Sequence, residues 1–310
     1  NLKLNQKDKK KFVLAVIERY RLTLASLLQN QAKMALAIMP QAENFIQAGL
    51  NPDPLLITQA RAYYQNKDYE KAIEAYSQIP QSSDYWLTAR EERAHTQGRL
   101  GQYEKAIADF TTLFSPVFQD SIHPEVYFTA SLTYLRLCQY SKVVALLNEF
   151  KKKMKIRVSQ LTELKDGKSD ALAMKAVDSL KNKEYNLVSY AQWASSLPRA
   201  FHQDFIIRDQ IVKFPSSQLS PKIKARLSQL AQQDLDDIKT VLTKLQLVDA
   251  EVMQRIHLAE QVKNNRRQSM GTFNAGKDQL YFPFNGEVWI DELDAYQVQS
   301  KSCPNQGGGA

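Results

Sequence analysis

Residues 67–76, Lys67-Asp68-Tyr69-Glu70-Lys71-Ala72-Ile73-Glu74-Ala75-Tyr76, recur 34 positions later as Gly101-Gln102-Tyr103-Glu104-Lys105-Ala106-Ile107-Ala108-Asp109-Phe110. The same interval separates Ala60 from Ala94. A third copy, Cys138-Gln139-Tyr140-Ser141-Lys142-Val143-Val144-Ala145-Leu146-Leu147, follows 37 positions on, preceded by Tyr127, Ala130, Ser131 and Tyr134 at helical core spacing. Its three extra residues fit the loop from Ser115-Pro116 to His123-Pro124. A weaker fourth copy runs from Ser169, with Ala176 as its small residue and Lys183-Glu184-Tyr185-Asn186-Leu187-Val188 at its turn, after an insertion around 158–168. A unit of this length is two helices. The small residue lets them approach, and the aromatic and alanine fill the space toward the next pair. One unit cannot bury its own apolar face, so neighbours must stack.

Composition agrees. The chain of 310 residues holds ten glycines, of which four lie in residues 1–270. Rossmann, P-loop and all-β architectures need glycine at tight turns and beside phosphates, so the body reads as helical. The copies resemble the tetratricopeptide repeat (TPR) family. The small residue of the first helix, the aromatic opening the second, the alanine three later and the aromatic four after that are in register. The resemblance implies an all-α fold, a right-handed TPR-like α-solenoid of helical hairpins. Two departures stand out: Gln97 where the family usually has an aromatic, and Cys138 where it usually has the glycine of the inter-helix turn.

The resemblance also implies a groove lined by the first helix of each copy. By register the first copy offers Ile57, Thr58, Arg61, Tyr64 and Gln65; the second offers Glu91, Glu92, His95 and Arg99. The third offers Phe128, Thr129, Leu132, Leu135 and Arg136, and the fourth Ala173, Met174, Val177 and Lys181. The residues expected to touch a partner are Arg61, Tyr64, Glu91, Glu92, His95, Arg99, Phe128, Leu132, Leu135 and Arg136. Some TPR proteins grip a C-terminal carboxylate with lysine and asparagine. Here those positions hold Ile57, Arg61 and Glu92, which disfavours that role. The implied function is a non-enzymatic scaffold or adaptor for a protein or peptide, taken as an amphipathic helix or an extended segment. The competing reading is that a neighbouring helix or the chain's own C-terminal segment covers these positions.

The flanks divide the chain further. Residues 1–51 read as an N-terminal helical cap, with Phe12, Val13, Val16, Ile17, Tyr20, Leu24, Leu27 and Leu28 as its apolar stripe. The repeats occupy 52–196, three clear to 150 and the fourth degenerate. Residues 197–268 read as C-terminal helices, either one exceeding 40 residues or two broken near 246–249. Residues 269–303 carry Asn285-Gly286 between aromatic-rich stretches, the signal of a β-hairpin. Residues 304–310 read as a disordered tail. The stretch around Asn285-Gly286-Glu287-Val288-Trp289-Ile290 is faintly similar to TPR-containing envelope and motility proteins of predatory and gliding bacteria, which implies a periplasmic or envelope location. A cytoplasmic one is the alternative. The sequence begins at Asn1 without an initiator methionine, which fits a processed or trimmed chain.

The net charge of +8 is uneven: residues 1–51 carry +5, 52–150 carry −3, 151–270 carry +9 and 271–310 carry −3. This leaves a second function class open, a binder of nucleic acid or an anionic surface through 151–270. Nucleic acid is disfavoured because the run Lys151-Lys152-Lys153-Met154-Lys155 has no interleaved aromatics to stack bases. No catalytic residue, metal ligand set or cofactor motif is nominated. His95, His123, His202 and His257 stand far apart, and no phosphate loop is present. Asp291, Glu292 and Asp294 read as solvated surface, with a cation site as the alternative, since no histidine or fixed loop spacing accompanies them. Cys138 and Cys303 either pair over a long range or stay apart. No apolar run is long enough to span a bilayer.

Overall fold

The computed structural model describes residues 6–168, 170–182, 196–213 and 221–266. Among the described residues every regular element is a helix, twelve α-helices and one 3-10 helix, so the all-α expectation holds. The hairpin expected over 269–303, the tail 304–310, the turn of the fourth copy at 183–188 and Cys303 lie outside the described residues. The chain divides into two compact units, Asn1–Leu113 and Phe114–Ala310.

The first unit contains α1 (Gln6–Leu28), α2 (Ala32–Ile38), α3 (Ala42–Gln47), α4 (Asp53–Gln65), α5 (Tyr69–Ser77), α6 (Trp86–Arg99) and α7 (Tyr103–Leu113). The first two copies are the hairpins α4–α5 and α6–α7, and α5 also packs on α6. Ala60, Ala72, Ala94 and Ala106 are all 0% exposed, which is what lets these helices close on one another. Tyr76 and Phe110 fill the space beside them and are buried. Tyr69, Tyr103 and Tyr140, which open the second helices, are half-buried rather than core.

The N-terminal helices pack on the repeats as expected: α1 and α2 contact each other and α4. Val16, Phe45 and Leu55 form a core, with Phe12, Tyr20 and Met39 against it. The buried stripe of α1 departs from the apolar one. Leu24 and Leu28 are exposed, while Thr23 and Ser26 are buried. Their hydroxyls donate to the carbonyls of Arg19 and Leu22 at 3.0 and 2.9 Å, so each polar group is satisfied within its own helix and can face the core.

Among the described residues six helices end alike. Asn30, Gly49, Lys67, Gly101, Cys138 and Gly167 follow α1, α3, α4, α6, α8 (Pro124–Arg136) and α9 (Tyr140–Lys165), each with φ between 57° and 74°. In each case this residue's N–H donates three residues back and the next N–H five back, as in Gly101 to Gly98 and Gln102 to Gln97. This is the Schellman closure, and it satisfies carbonyls the helix leaves orphaned.

The second unit contains α8, α9, α10 (Asp170–Lys181), the 3-10 turn Arg199–Gln203, α11 (Phe205–Lys213) and α12 (Pro221–Arg266). The third copy is α8–α9, where the Tyr127 ring lies 4.9 Å from Phe114 and 5.4 Å from Phe150. At 26 residues α9 is far longer than α5 or α7. Phe150, Met154, Arg157, Leu161 and Leu164 continue its buried face. Of the two arrangements open for the C-terminal helices, one continuous helix of 46 residues is found. No glycine or proline interrupts it after Pro221, and Leu227, Leu230 and Ala231, then Ile238, Val241, Leu245, Val248 and Val252, form its buried stripe, with Asp234 and Leu235 half-buried between the two stretches. α12 runs antiparallel to α9. Ser228 bonds to the Lys165 carbonyl, Asp234 to Arg157, and Asp249 approaches Lys151, so one number rises as the other falls.

Candidate partner-binding face

In the first unit, one side of α4 and α6 gathers five of the residues read as groove positions. Arg61 reaches across to Glu92 with two guanidinium nitrogens, at 2.6 and 2.9 Å. One turn on, the Tyr64 ring lies 5.6 Å from His95 and 5.4 Å from Tyr69. His95 and Arg99 are exposed and Tyr64 is half-buried. Gln65 is exposed, but its amide donates to the Leu27 carbonyl and to Asn30 Oδ1. The outward reading does not hold for Ile57, Thr58 and Glu91, which are buried. Thr58 sits under Tyr20, whose hydroxyl lies 3.0 Å from its Oγ1. The N-terminal helix therefore covers the start of α4. Behind the face, burial first and the Glu92 carboxylate second hold the Tyr76 hydroxyl above the usual tyrosine range.

In the second unit the corresponding side of α8 is covered at its N-terminal end by the chain's own α12. Lys244 pairs with Glu125 at 2.9 and 3.1 Å, and its Nζ lies 5.2 Å from the Phe128 ring centre. Phe128 is half-buried, Leu135 is buried, and Leu132 and Arg136 are exposed. The covered-face reading is thus realised at Phe128, while the outward reading fails at Leu135, which is buried. Sequence reasoning missed Lys244 because Glu125 lies 119 residues away, and nothing in the local pattern of α12 marks it.

Around this contact lies a polar network. Arg157 donates to Asp234 Oδ2 at 2.8 Å and to the Leu197 carbonyl at 3.3 Å, and the Arg199 backbone N–H donates to the same Asp234 oxygen. His123 caps α8: its Nδ1 accepts from the Glu125 N–H at 3.1 Å. Its Nε2 lies 3.3 Å from Asp237 Oδ2. An imidazole that accepts at one nitrogen and donates at the other is neutral. Burial, and then the charges of Arg199, Arg157 and Lys244, lower its pKa to about 3. The His123–Asp237 contact is therefore a hydrogen bond to a carboxylate rather than an ion pair.

The basic run on α9 is partly committed. Lys153 contacts Gln119, Asp120 and Glu149, and Lys151 is 3.9 Å from Asp249. Lys152 and Lys155 are exposed. Among the described residues no three His, Cys, Asp or Glu side chains converge on a metal position. Among them, too, no helix is long and apolar enough to cross a membrane. Compared with protein-family models, with curated proteins and with solved structures, the chain matches none.

Proposed function

We propose that the chain is a non-enzymatic, TPR-like helical scaffold of the solenoid class, and that it holds a protein partner on the α4–α6 face of its first unit. The observation that carries this reading is the side-by-side placement of Arg61 with Glu92 and of Tyr64 with His95. Residues 31 apart in sequence share one strip, exposed at Arg61, His95 and Arg99 and half-buried at Tyr64 and Glu92. An aromatic edge flanked by an arginine suits an extended or helical peptide with an apolar anchor and an acidic neighbour. Arg61 is neutralised by Glu92, which speaks against a carboxylate clamp. The covered end of α8 supports placing the partner on the first unit rather than along all three copies. A bacterial envelope is the proposed setting. The test is crosslinking capture with wild type, with Tyr64→Ala plus Arg99→Glu, and with Lys152→Glu plus Lys155→Glu. A partner lost with the first variant and kept with the second is the expected result. Recovery unchanged by the first variant would refute this face, and loss with the second would favour the anionic-partner class instead.

A further inference from the structure

α1 turns polar side chains inward and leucines outward. Thr23 and Ser26 are buried beside Val16, while Leu14, Leu22 and Leu28 are 51%, 60% and 86% exposed. Leu14, Leu22, the exposed Ala25 and Leu28 follow one another at intervals of 8, 3 and 3 residues, which places them on one side of the helix. Toward the N-terminus the same side continues as Lys11, Lys10 and Lys7, all exposed, at 3, 4 and 7 positions before Leu14. A single exposed leucine is ordinary on a protein surface, but three on one side of one helix make a patch. The surrounding charge selects what covers it. α1 carries six basic side chains and two acidic ones, and one of the acids, Glu18, is paired with Arg21 at 2.6 Å. A second copy of this chain would set lysines against lysines, since residues 1–51 carry +5. A bilayer of anionic phospholipid offers phosphates to the lysines and acyl chains to the leucines in one contact. We propose that α1 lies on the surface of an anionic membrane, with Leu14, Leu22 and Leu28 entering the boundary between headgroups and acyl chains and Lys7, Lys10 and Lys11 on the lipid phosphates. The lysine stems are long enough to hold their ammonium groups at headgroup level while the leucines sit deeper. The helix has 23 residues but is not apolar enough to cross, so it rests on the membrane rather than spanning it. This contact is separate from the α4–α6 face and from the basic run on α9, and it does not depend on what either of them binds.

The experiment is flotation of the full chain with vesicles of phosphatidylcholine alone and of phosphatidylcholine with about one third phosphatidylglycerol. The chain should float with the anionic vesicles, stay behind with the neutral ones, and bind more weakly at about 0.5 M salt. Leu14→Ser plus Leu22→Ser plus Leu28→Ser should lower the bound-to-free ratio by more than about tenfold. Lys7→Gln plus Lys10→Gln plus Lys11→Gln should lower it by about as much. The substituted side chains are exposed, so the circular dichroism of both variants should match the wild type. No flotation with the anionic vesicles would overturn the proposal. Flotation that the leucine variant leaves unchanged would overturn it too, because attraction by net charge needs no leucine. Sedimentation velocity without lipid tests a protein occupant: a concentration-dependent dimer abolished by the leucine variant would assign the patch to a second copy instead. Flotation lost with Lys152→Glu plus Lys155→Glu would place the contact on α9 and overturn the assignment to α1. Tyr64→Ala plus Arg99→Glu should float as the wild type does, so a failure of partner capture at the α4–α6 face leaves this result standing.

Discussion

Lowering the pH should weaken the second unit through His123 in particular. In the folded chain this imidazole accepts a backbone N–H and faces Asp237, with Arg157, Arg199, Lys244 and Glu125 around it. Its pKa falls from 6.5 to about 3, burial being the larger cause and the three cations the next. Between these values the unfolded chain binds a proton that the folded chain refuses. Folding stability therefore rises with pH in this window, is complete above 6.5, and is lost as the pH falls through it. The slope is about 1.4 kcal/mol per pH unit, so acidification from pH 7.5 to 4.5 removes about 2.7 kcal/mol. His123→Asn keeps an oxygen acceptor for the Glu125 N–H and does not titrate. Urea unfolding followed by circular dichroism, at one-unit steps from pH 7.5 to 4.5, compares the two chains. Carboxylates common to both, Asp237 included, largely cancel in the difference. The wild type should lose its advantage over the variant by this amount. Parallel pH profiles would show that His123 is not held neutral, and would refute the assignment of its nitrogens.

Other outcomes follow from single contacts. Lys67→Gly should stabilise the first unit by about 1 kcal/mol in denaturant titration, because the left-handed position is strained for lysine. Gly101→Ala should cost about as much. The new Cβ would meet nothing within 4 Å, so a much larger loss would mean the turn is packed rather than open. Ser131→Ala should raise stability by about 1 kcal/mol, since the hydroxyl is fully buried without a partner and the first two copies use Ala60 and Ala94 there. A loss would reveal a bonded hydroxyl. Asp109→Ala should cost about 3 kcal/mol by leaving the half-buried Arg93 guanidinium without its bidentate partner. A change under 1 kcal/mol would show that water compensates the arginine.

Much of this was legible along the chain. Apolar and small residues at fixed intervals report local periodicity, and the alanines at 60, 72, 94 and 106 are buried where the interval put them. The glycine-poor turns were legible too, although Lys67 and Asn30 adopt the glycine conformation with no compositional sign. The expected faces failed where a polar residue could satisfy itself within its own helix, as Thr23 and Ser26 do, or where a distant helix took the position.

From the sequence alone came the helical class, the hairpins of the copies and the register of their inner residues, because each depends on neighbours within about one repeat. Which faces remain open is another matter. Tyr20 over Thr58, Lys244 over Phe128 and Arg157 on Asp234 join residues 38, 116 and 77 positions apart. A side chain's exposure depends on whatever packs against it from any distance along the chain. Only the tertiary structure could decide that the α4–α6 side carries the partly exposed strip, while the start of α8 is covered by the chain's own longest helix.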